Sequence, residues 1–369
     1  MDVARARLRS QRLVGAPLAT PEEVVGWLGA VQAQDYAGAK WAVAQRAAGC
    51  RDADVEQACR DGRILRTHVL RPTWHFVLPD DVRWMLALTA PRVRAAMAYY
   101  DRKLGLDEAV FRRTQALLAK ALAGGQARTR EELARTLAAA GIEASGQRLG
   151  HIMMRAELDA LIVSGPRRGK QFTYALLDER APRGRIHSLG RDEALAALAG
   201  RYFASHGPAL PGDFAWWSGL TVGDARRGID AAAPRLASVA VDGKTFWFAP
   251  GAPAAKPRGG RAAVHLLPNY DELLVAYRDH APSLAPGVAG ALRARPDVVA
   301  NHIVTVDGRV VGGWRRLEAK GAMTVETTLV ARLDSRAQAT LRAAAARFQA
   351  FLGRPVKLVA RPRGKIRAS

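Results

Sequence analysis

The stretch TREELARTLAAAGIEASGQRLGHIMMRAELDALIVSGPRRGKQFTYALL, residues 129–177, carries the order of elements from which the fold can be read. Thr129 with Glu132 three residues on is a capping box, the reciprocal pairing that opens a helix. Gly141 supplies the left-handed residue that closes it. A turn leads into a second helix from Arg148 to Leu161. LIVSG and QFTYALL then flank PRRGK, which predicts a β-hairpin with a basic tip. Helix, turn, helix and basic hairpin is the order of a winged helix, whose second helix would enter a groove while its wing touches phosphates.

The same order recurs on both sides. In 21–78, helical patterns at PEEVVGWLGAV and ADVEQACRDG lead to two extended runs, RILRTHVL and TWHFVL, joined by Arg71-Pro72. In 191–249, RDEALAALAGRYFASHG and PGDFAWWSGLTVGDARRGIDAAAP precede LASVAVDGKTFWFA, where Asp242-Gly243 is a strong two-residue hairpin turn. PGAPAAKPRGGR at 250–261 has the composition of a linker. Beyond it lies a β-rich tail with turn signals between alternating apolar strands, then a helix at 335–352. The predicted class is α+β, in four regions. Residues 1–104 hold a first winged helix, 105–185 a second and 186–250 a third; 251–369 hold the linker and the β-rich segment.

At 369 residues with 49% hydrophobic residues the chain has length for a large core. Mean hydropathy is −0.10, and no apolar run approaches the roughly 20 residues that span a bilayer. The amino terminus is basic but lacks the apolar stretch of a signal peptide. The expected location is therefore cytoplasmic, and on the nucleoid for a DNA-binding protein. Cys50 and Cys59 have neither CxxC spacing nor a histidine cluster, so no disulfide framework and no metal are expected. Lys+Arg 56 against Asp+Glu 34 gives +22. A GC-rich genome would explain arginine in place of lysine but not the excess of cations over anions. A polyanionic partner is favoured, with nucleic acid ahead of anionic lipid because no basic amphipathic anchor stands out.

In GWLGAVQAQDYAGAKWAV, residues 26–43, two amides stand one residue apart. On a helix Gln32 and Gln34 would point about 200° apart, whereas on an extended segment they share a face. Either the pair sits at a surface, or something polar is held between the two side chains.

With these features the chain resembles the AlkZ/YcaQ family of winged-helix DNA glycosylases. The likeness rests on RxxxQRL from Arg7 to Leu13, QAQ at 32–34 and RTHVLRPTWHFV at 66–77. It continues in LLPNYDELLVAYRD at 266–279 and DGRVVGGWRR at 307–316. The resemblance implies three tandem winged helices forming a concave DNA-binding surface. It also implies a catalytic Gln-apolar-Gln signature, here Gln32-Ala33-Gln34. The implied substrate is double-stranded DNA carrying N7-alkylated purines, bulky or crosslinked adducts included. The purine is then a cation and a good leaving group, so no strong general acid is needed. The two amide oxygens would hold a water beneath C1′ and face the oxocarbenium charge. Asp35 would point away and serve a supporting or structural role, with the alternative that it is the base. No cofactor is implied, and the enzyme is expected to be a monomer and monofunctional, although Lys40 leaves a lyase activity open.

Arg66, His68, Arg71, Thr73 and His75 are expected at the DNA or the rim of the site. Arg148 and Arg155 share a face of the recognition helix, and Arg167, Arg168 and Lys170 form the basic wing. Arg315 and Arg316 follow Gly312-Gly313, read as a hairpin tip beside the lesion. Trp216-Trp217 reads as core, and Asp271 and Glu272 as structural, pairing with Arg278. The competing class is a non-catalytic winged-helix transcriptional regulator. The absence of a dimerisation helix or effector segment weighs against it. A nuclease is disfavoured because no acidic cluster has metal-site spacing.

Overall fold

The computed structural model describes residues 1–182, 189–251, 262–285, 287–294, 302–319 and 322–360. Residues 252–261 of the expected linker at 250–261 lie outside them.

Helices begin where the sequence supplies caps. Asp2 opens α1 (Val3–Ser10), Thr20 with Pro21 opens α2 (Pro21–Leu28), and Asp35 opens α3 (Tyr36–Ala44). Between α2 and α3 the two-residue strand β1 (Val31–Gln32) is isolated in sequence but not in space. It joins β2 (Leu65–His68) and β3 (Trp74–Val77) in a sheet ordered β1-β3-β2, with Gln32 opposite His75. α4 (Asp52–Asp61) precedes β2, and α5 (Pro79–Lys103), 25 residues long, leads away from β3.

The second group is α6 (Glu108–Leu122), β4 (Arg128–Thr129), α7 (Arg130–Ala139), α8 (Gly146–Leu158), β5 (Ile162–Ser164), β6 (Thr173–Leu176) and α9 (Leu177–Arg180). The capping box forms: Glu132 N–H donates to Thr129 Oγ1 at 3.2 Å and Thr129 N–H to Glu132 Oε2 at 2.7 Å. β4, β6 and β5 make a second three-stranded sheet. In the third group α10 (Arg191–His206), α11 (Pro211–Ser218) and α12 (Val222–Ala232) precede the hairpin β7 (Ala237–Val241) and β8 (Lys244–Phe248). That hairpin turns at Asp242 and Gly243, both at positive φ, as a two-residue turn of this type requires.

The carboxyl-terminal segment contributes β9 (Val264–Leu267), α13 (Glu272–Val275), α14 (Val288–Ala294), β10 (His302–Val306), β11 (Arg309–Ala319), β12 (Ala322–Leu329), α15 (Ser335–Leu352) and β13 (Val356–Ala360). Its sheet runs β13-β12-β11-β10-β9, antiparallel except that β13 lies parallel to β12. α15 buries Leu341, Phe348 and Phe351 against it. The architecture is mixed α+β.

Gly312 and Gly313 are not a hairpin tip. They lie inside β11, opposite Leu329 and Thr328, and the β10–β11 turn is at Asp307-Gly308. A Cβ on Gly312 would come within 2.3 Å of the Thr328 carbonyl oxygen, so this glycine serves close approach of strands rather than a turn.

The carboxyl-terminal segment reaches back to the first sheet through its apolar and ionic side chains. Trp41 Nε1, on α3, donates to Leu266 O at 2.7 Å, and the Gln32 N–H of β1 donates to Glu272 Oε1 at 2.8 Å. Beside them Asp271 and Glu272 enter the space under β1. None of the helices among the described residues is long and apolar enough to cross a membrane.

Candidate active site

Gln32 is 5% exposed and is held at two points. Its backbone N–H donates to Glu272 Oε1 at 2.8 Å, and its side-chain oxygen accepts from Arg71 Nη2 at 3.0 Å. Glu272 is itself buried, and its Oε2 accepts from Trp217 Nε1 at 3.0 Å, with His206 Nε2 at 3.4 Å. Arg71 reaches Gln32 because Leu70 takes a positive φ of 66° and Gly219 makes room. A Cβ on Gly219 would stand 2.2 Å from the Leu70 carbonyl oxygen, so only glycine fits. Burial lowers the pKa of the Arg71 guanidinium, and Glu272 opposes that shift.

Below this lies a buried ionic floor. Arg46 uses all five of its N–H donors. They reach Gln11 O and Oε1, Ala42 O and both oxygens of Asp271, at 2.7 to 2.9 Å. Gln11 Nε2 donates to Glu272 O and to Tyr277 Oη. Arg7, fully buried, donates to Pro208 O and Asp213, with its guanidinium 3.6 Å from the Tyr277 ring centroid. The motifs RxxxQRL and NYDELLVAYRD are therefore two halves of one support for Gln32. Asp271 pairs with Arg46 and Glu272 faces Gln32, Trp217 and His206. Among the described residues neither pairs with Arg278, because these partners already occupy both carboxylates.

Gln34 is exposed, and it follows β1 in a bend. It opens onto a cleft of about 780 Å³ whose wall includes His68, Trp74, Met97, Tyr100, Met153, Met154 and Tyr174. No aspartate or glutamate lines it. Ala33, between the amides, is fully buried, and its N–H donates to Trp74 O at 2.7 Å. The two glutamines thus occupy different surroundings, one clamped from beneath and one facing the cleft. Asp35 caps α3, accepting from Gly38 N–H at 3.0 Å, with Arg316 Nη2 at 4.0 Å.

Arg66 is 9% exposed. It donates from Nε to Ala33 O at 3.0 Å and lies between the rings of Trp74 and Phe172, at 4.3 and 4.6 Å. It therefore braces the QAQ backbone from inside. His75 is fully buried; its Nδ1–H donates to Thr73 O at 2.9 Å, and its Nε2 has no protein partner. Burial, with Arg71 nearby, holds its pKa well below the usual imidazole value, so it stays neutral. Thr73 Oγ1 is likewise buried without a partner. His68 Nδ1 makes a short contact with the buried Glu157 Oε2.

The basic residues expected at phosphates are engaged within the protein. Arg148 bonds the carbonyls of Glu143 and Leu104, and Arg155 bridges Glu108 and Asp159. Arg167 pairs with Glu56, Arg168 with Glu132 and Arg315 with Glu326, while Lys170 is exposed. Lys40 is buried between Asp52 and Glu56, at 2.8 and 2.9 Å. The tryptophan pair divides: Trp217 is fully buried, but Trp216 is 50% exposed, with Arg71 5.6 Å over its ring. Among the described residues no group of three or more His, Cys, Asp or Glu could hold a metal ion. Sequence reasoning missed the contacts of Glu272 and Glu157, because both bind partners more than 85 residues away in the chain.

A mixed α+β chain with a buried polar floor under Gln32, and with Gln34 facing a cleft, can be compared with known proteins. The family model for DNA glycosylase AlkZ-like proteins matches residues 25–351, and the chain belongs to that family. As a member it is an enzyme, a DNA glycosylase. Among its relatives is an interstrand DNA cross-link repair glycosylase of Streptomyces sahachiroi, 27% identical over 334 residues, 86% of this chain and 88% of the relative. The solved structure of Streptomyces sahachiroi DNA glycosylase AlkZ is similar with a TM-score of 0.78 at 24% identity, covering 97% of this chain and 98% of that one.

Proposed function

We propose that the protein hydrolyses the N-glycosidic bond of cationic N7-alkylpurines in double-stranded DNA, bulky and crosslinked adducts included. Gln32 and Gln34 orient the attacking water. The carrying observation is the cleft itself: an amide opens onto a space lined by no carboxylate. An N7-alkylguanine leaves as a neutral base when its bond electrons cancel its charge, so it needs no acid. The apolar wall of Trp74, Met97, Tyr100 and Met153 suits a large alkyl or aryl substituent. The relative named for interstrand cross-link repair supports the same substrate class.

In this reading the three helix–hairpin groups act as winged helices in the regions 1–104, 105–185 and 186–250, joined to 251–369, and present one face to the duplex. The enzyme works as a monomer on the nucleoid in the cytoplasm. It protects its host from a genotoxic natural product or repairs general alkylation. The test is incubation with duplexes carrying N7-methylguanine, a bulky N7 adduct or uracil, followed by alkali. Uracil leaves as an anion and needs proton donation that an amide cannot give. Strand breaks are expected from the N7 substrates alone; breaks from uracil at a similar rate contradict the mechanism.

A further inference from the structure

The cleft wall lacks a carboxylate, but one stands directly behind it. Glu157, on α8, is 1% exposed; its Oε2 meets His68 Nδ1 and its Oε1 has no protein partner. His68 ends β2, lines the cleft with Gln34, and lies 4.4 Å from Trp74 between ring centroids. One imidazole nitrogen is thus committed to a carboxylate, and Nε2 is the nitrogen left for a ligand. A buried carboxylate is a costly way to join β2 to α8, since apolar packing of similar volume serves stability as well or better.

We propose that His68, oriented by Glu157, accepts the proton of the attacking water. The inference rests on the reading of this cleft as the place of hydrolysis. The C1′–N9 bond breaks and its electron pair passes to the purine, cancelling the N7-alkyl cation. The water oxygen bonds to C1′ of the oxocarbenium ion. One water proton moves to His68 Nε2, while Nδ1–H stays bonded to Glu157. The products are a neutral alkylpurine, an abasic sugar and an imidazolium beside a carboxylate. An amide orients water but cannot take this proton. A carboxylate behind an imidazole fixes the tautomer and stabilises the imidazolium that forms.

The charged and titratable groups around His68 come from each neighbouring element. Glu157 faces it from α8. Arg66, on β2, interacts electrostatically with Glu157 and does so as a permanent cation. His75, on β3, is kept neutral by burial, and Tyr174, on β6, has its pKa raised by burial. Arg130 and His151 line the same cleft, the latter paired with Asp101 at 2.6 Å.

The experiment is single-turnover release of N7-methylguanine from duplex DNA between pH 5 and 8, corrected for uncatalysed loss. It compares the wild type with His68→Gln, Glu157→Gln and His151→Gln. The wild-type rate is expected to rise through one imidazole titration to a plateau. His68→Gln should lose that inflection and about 10²-fold of the plateau rate, the scale of positioned proton transfer. Glu157→Gln should move the inflection to lower pH, because the imidazolium loses its anionic partner. An NMR titration of the His68 ring reads the same shift without depending on turnover. His151→Gln should keep the inflection. A flat profile in an active wild type, or an inflection that survives His68→Gln, overturns the assignment. So does a His68→Gln variant that weakens DNA binding while retaining the saturated rate. A wild type that releases no N7-alkylguanine defeats the proposed substrate, and this inference with it.

Discussion

The floor beneath Gln32 and the basic surface around it use the same residue types to opposite ends. Under Gln32, Arg46 is fully buried with all five donors satisfied, and Arg7 is equally buried. On the outside, Arg315 pairs with Glu326 across two strands with half its side chain exposed. Buried, a guanidinium fixes geometry, because losing its partner strands a charge away from water. Exposed, it contributes to a field that attracts DNA, and its local partner is worth little. The arginines of this chain therefore fall into two populations, and only the exposed one is expected to attract DNA.

The sharpest way to break this comparison is Arg46→Ala. It leaves Asp271 buried without its partner and should cost about 3–5 kcal/mol of folding stability. Urea unfolding followed by circular dichroism measures it. A loss no larger than that from Arg315→Ala would erase the distinction.

Acid probes the interior as a whole. Burial pushes the imidazoles of His265 and His302 down to about 4 and lowers His75 and His206 as well. The unfolded chain takes up these protons near pH 6.5, so below that pH it binds more protons than the folded protein. Stability should fall as pH drops from 6.5 towards 4, and be flat with respect to these groups above 7. Unfolding midpoints at pH 7.5, 6 and 5 check the sign; a midpoint that rises on acidification contradicts it.

Gln32→Ala probes a guanidinium that lies between the two extremes. It removes the acceptor of a half-buried Arg71, which should cost about 1–3 kcal/mol in addition to slowing base release. Thermal melting and the excision rate are both read, and a full-rate variant with an unchanged melt would remove Gln32 from the site. The smallest effects belong to the surface. Arg315→Ala should change stability by less than about 0.5 kcal/mol. If it contacts a phosphate, it should reduce the slope of log K against log salt by about 0.9 on duplex DNA. Fluorescence anisotropy at several salt concentrations measures the slope, and an unchanged slope takes Arg315 off the DNA-binding surface.

What could be read from sequence was local. The Thr129–Glu132 box, the Asp242-Gly243 turn and the helix at 335–352 are encoded within a few residues, and each forms where its signal lies. Gly312-Gly313 shows the limit: two adjacent glycines read as a turn, but here they admit a neighbouring backbone within a sheet. The amides were visible because their spacing is unusual. The support of Gln32 was not, because Glu272 lies 240 residues away, and neither was the contact of Glu157 with His68, 89 residues apart. Arg66 and His75 looked like surface residues on wing strands. They are buried because the first and second sheets pack there, with Arg66 N–H on Ser164 Oγ at 2.8 Å.

The most direct test of the account is the single-turnover rate of N7-methylguanine release by Gln34→Ala, measured with its DNA affinity and melting temperature. Gln34 has no hydrogen-bond partner among the described residues and faces the cleft, so its loss should leave folding and binding unchanged. The rate should nevertheless fall by about 10²-fold or more, the scale for removing one oriented polar group from a reacting centre. A Gln34→Ala enzyme that releases the base at the wild-type rate would contradict the claim that these amides hold the water.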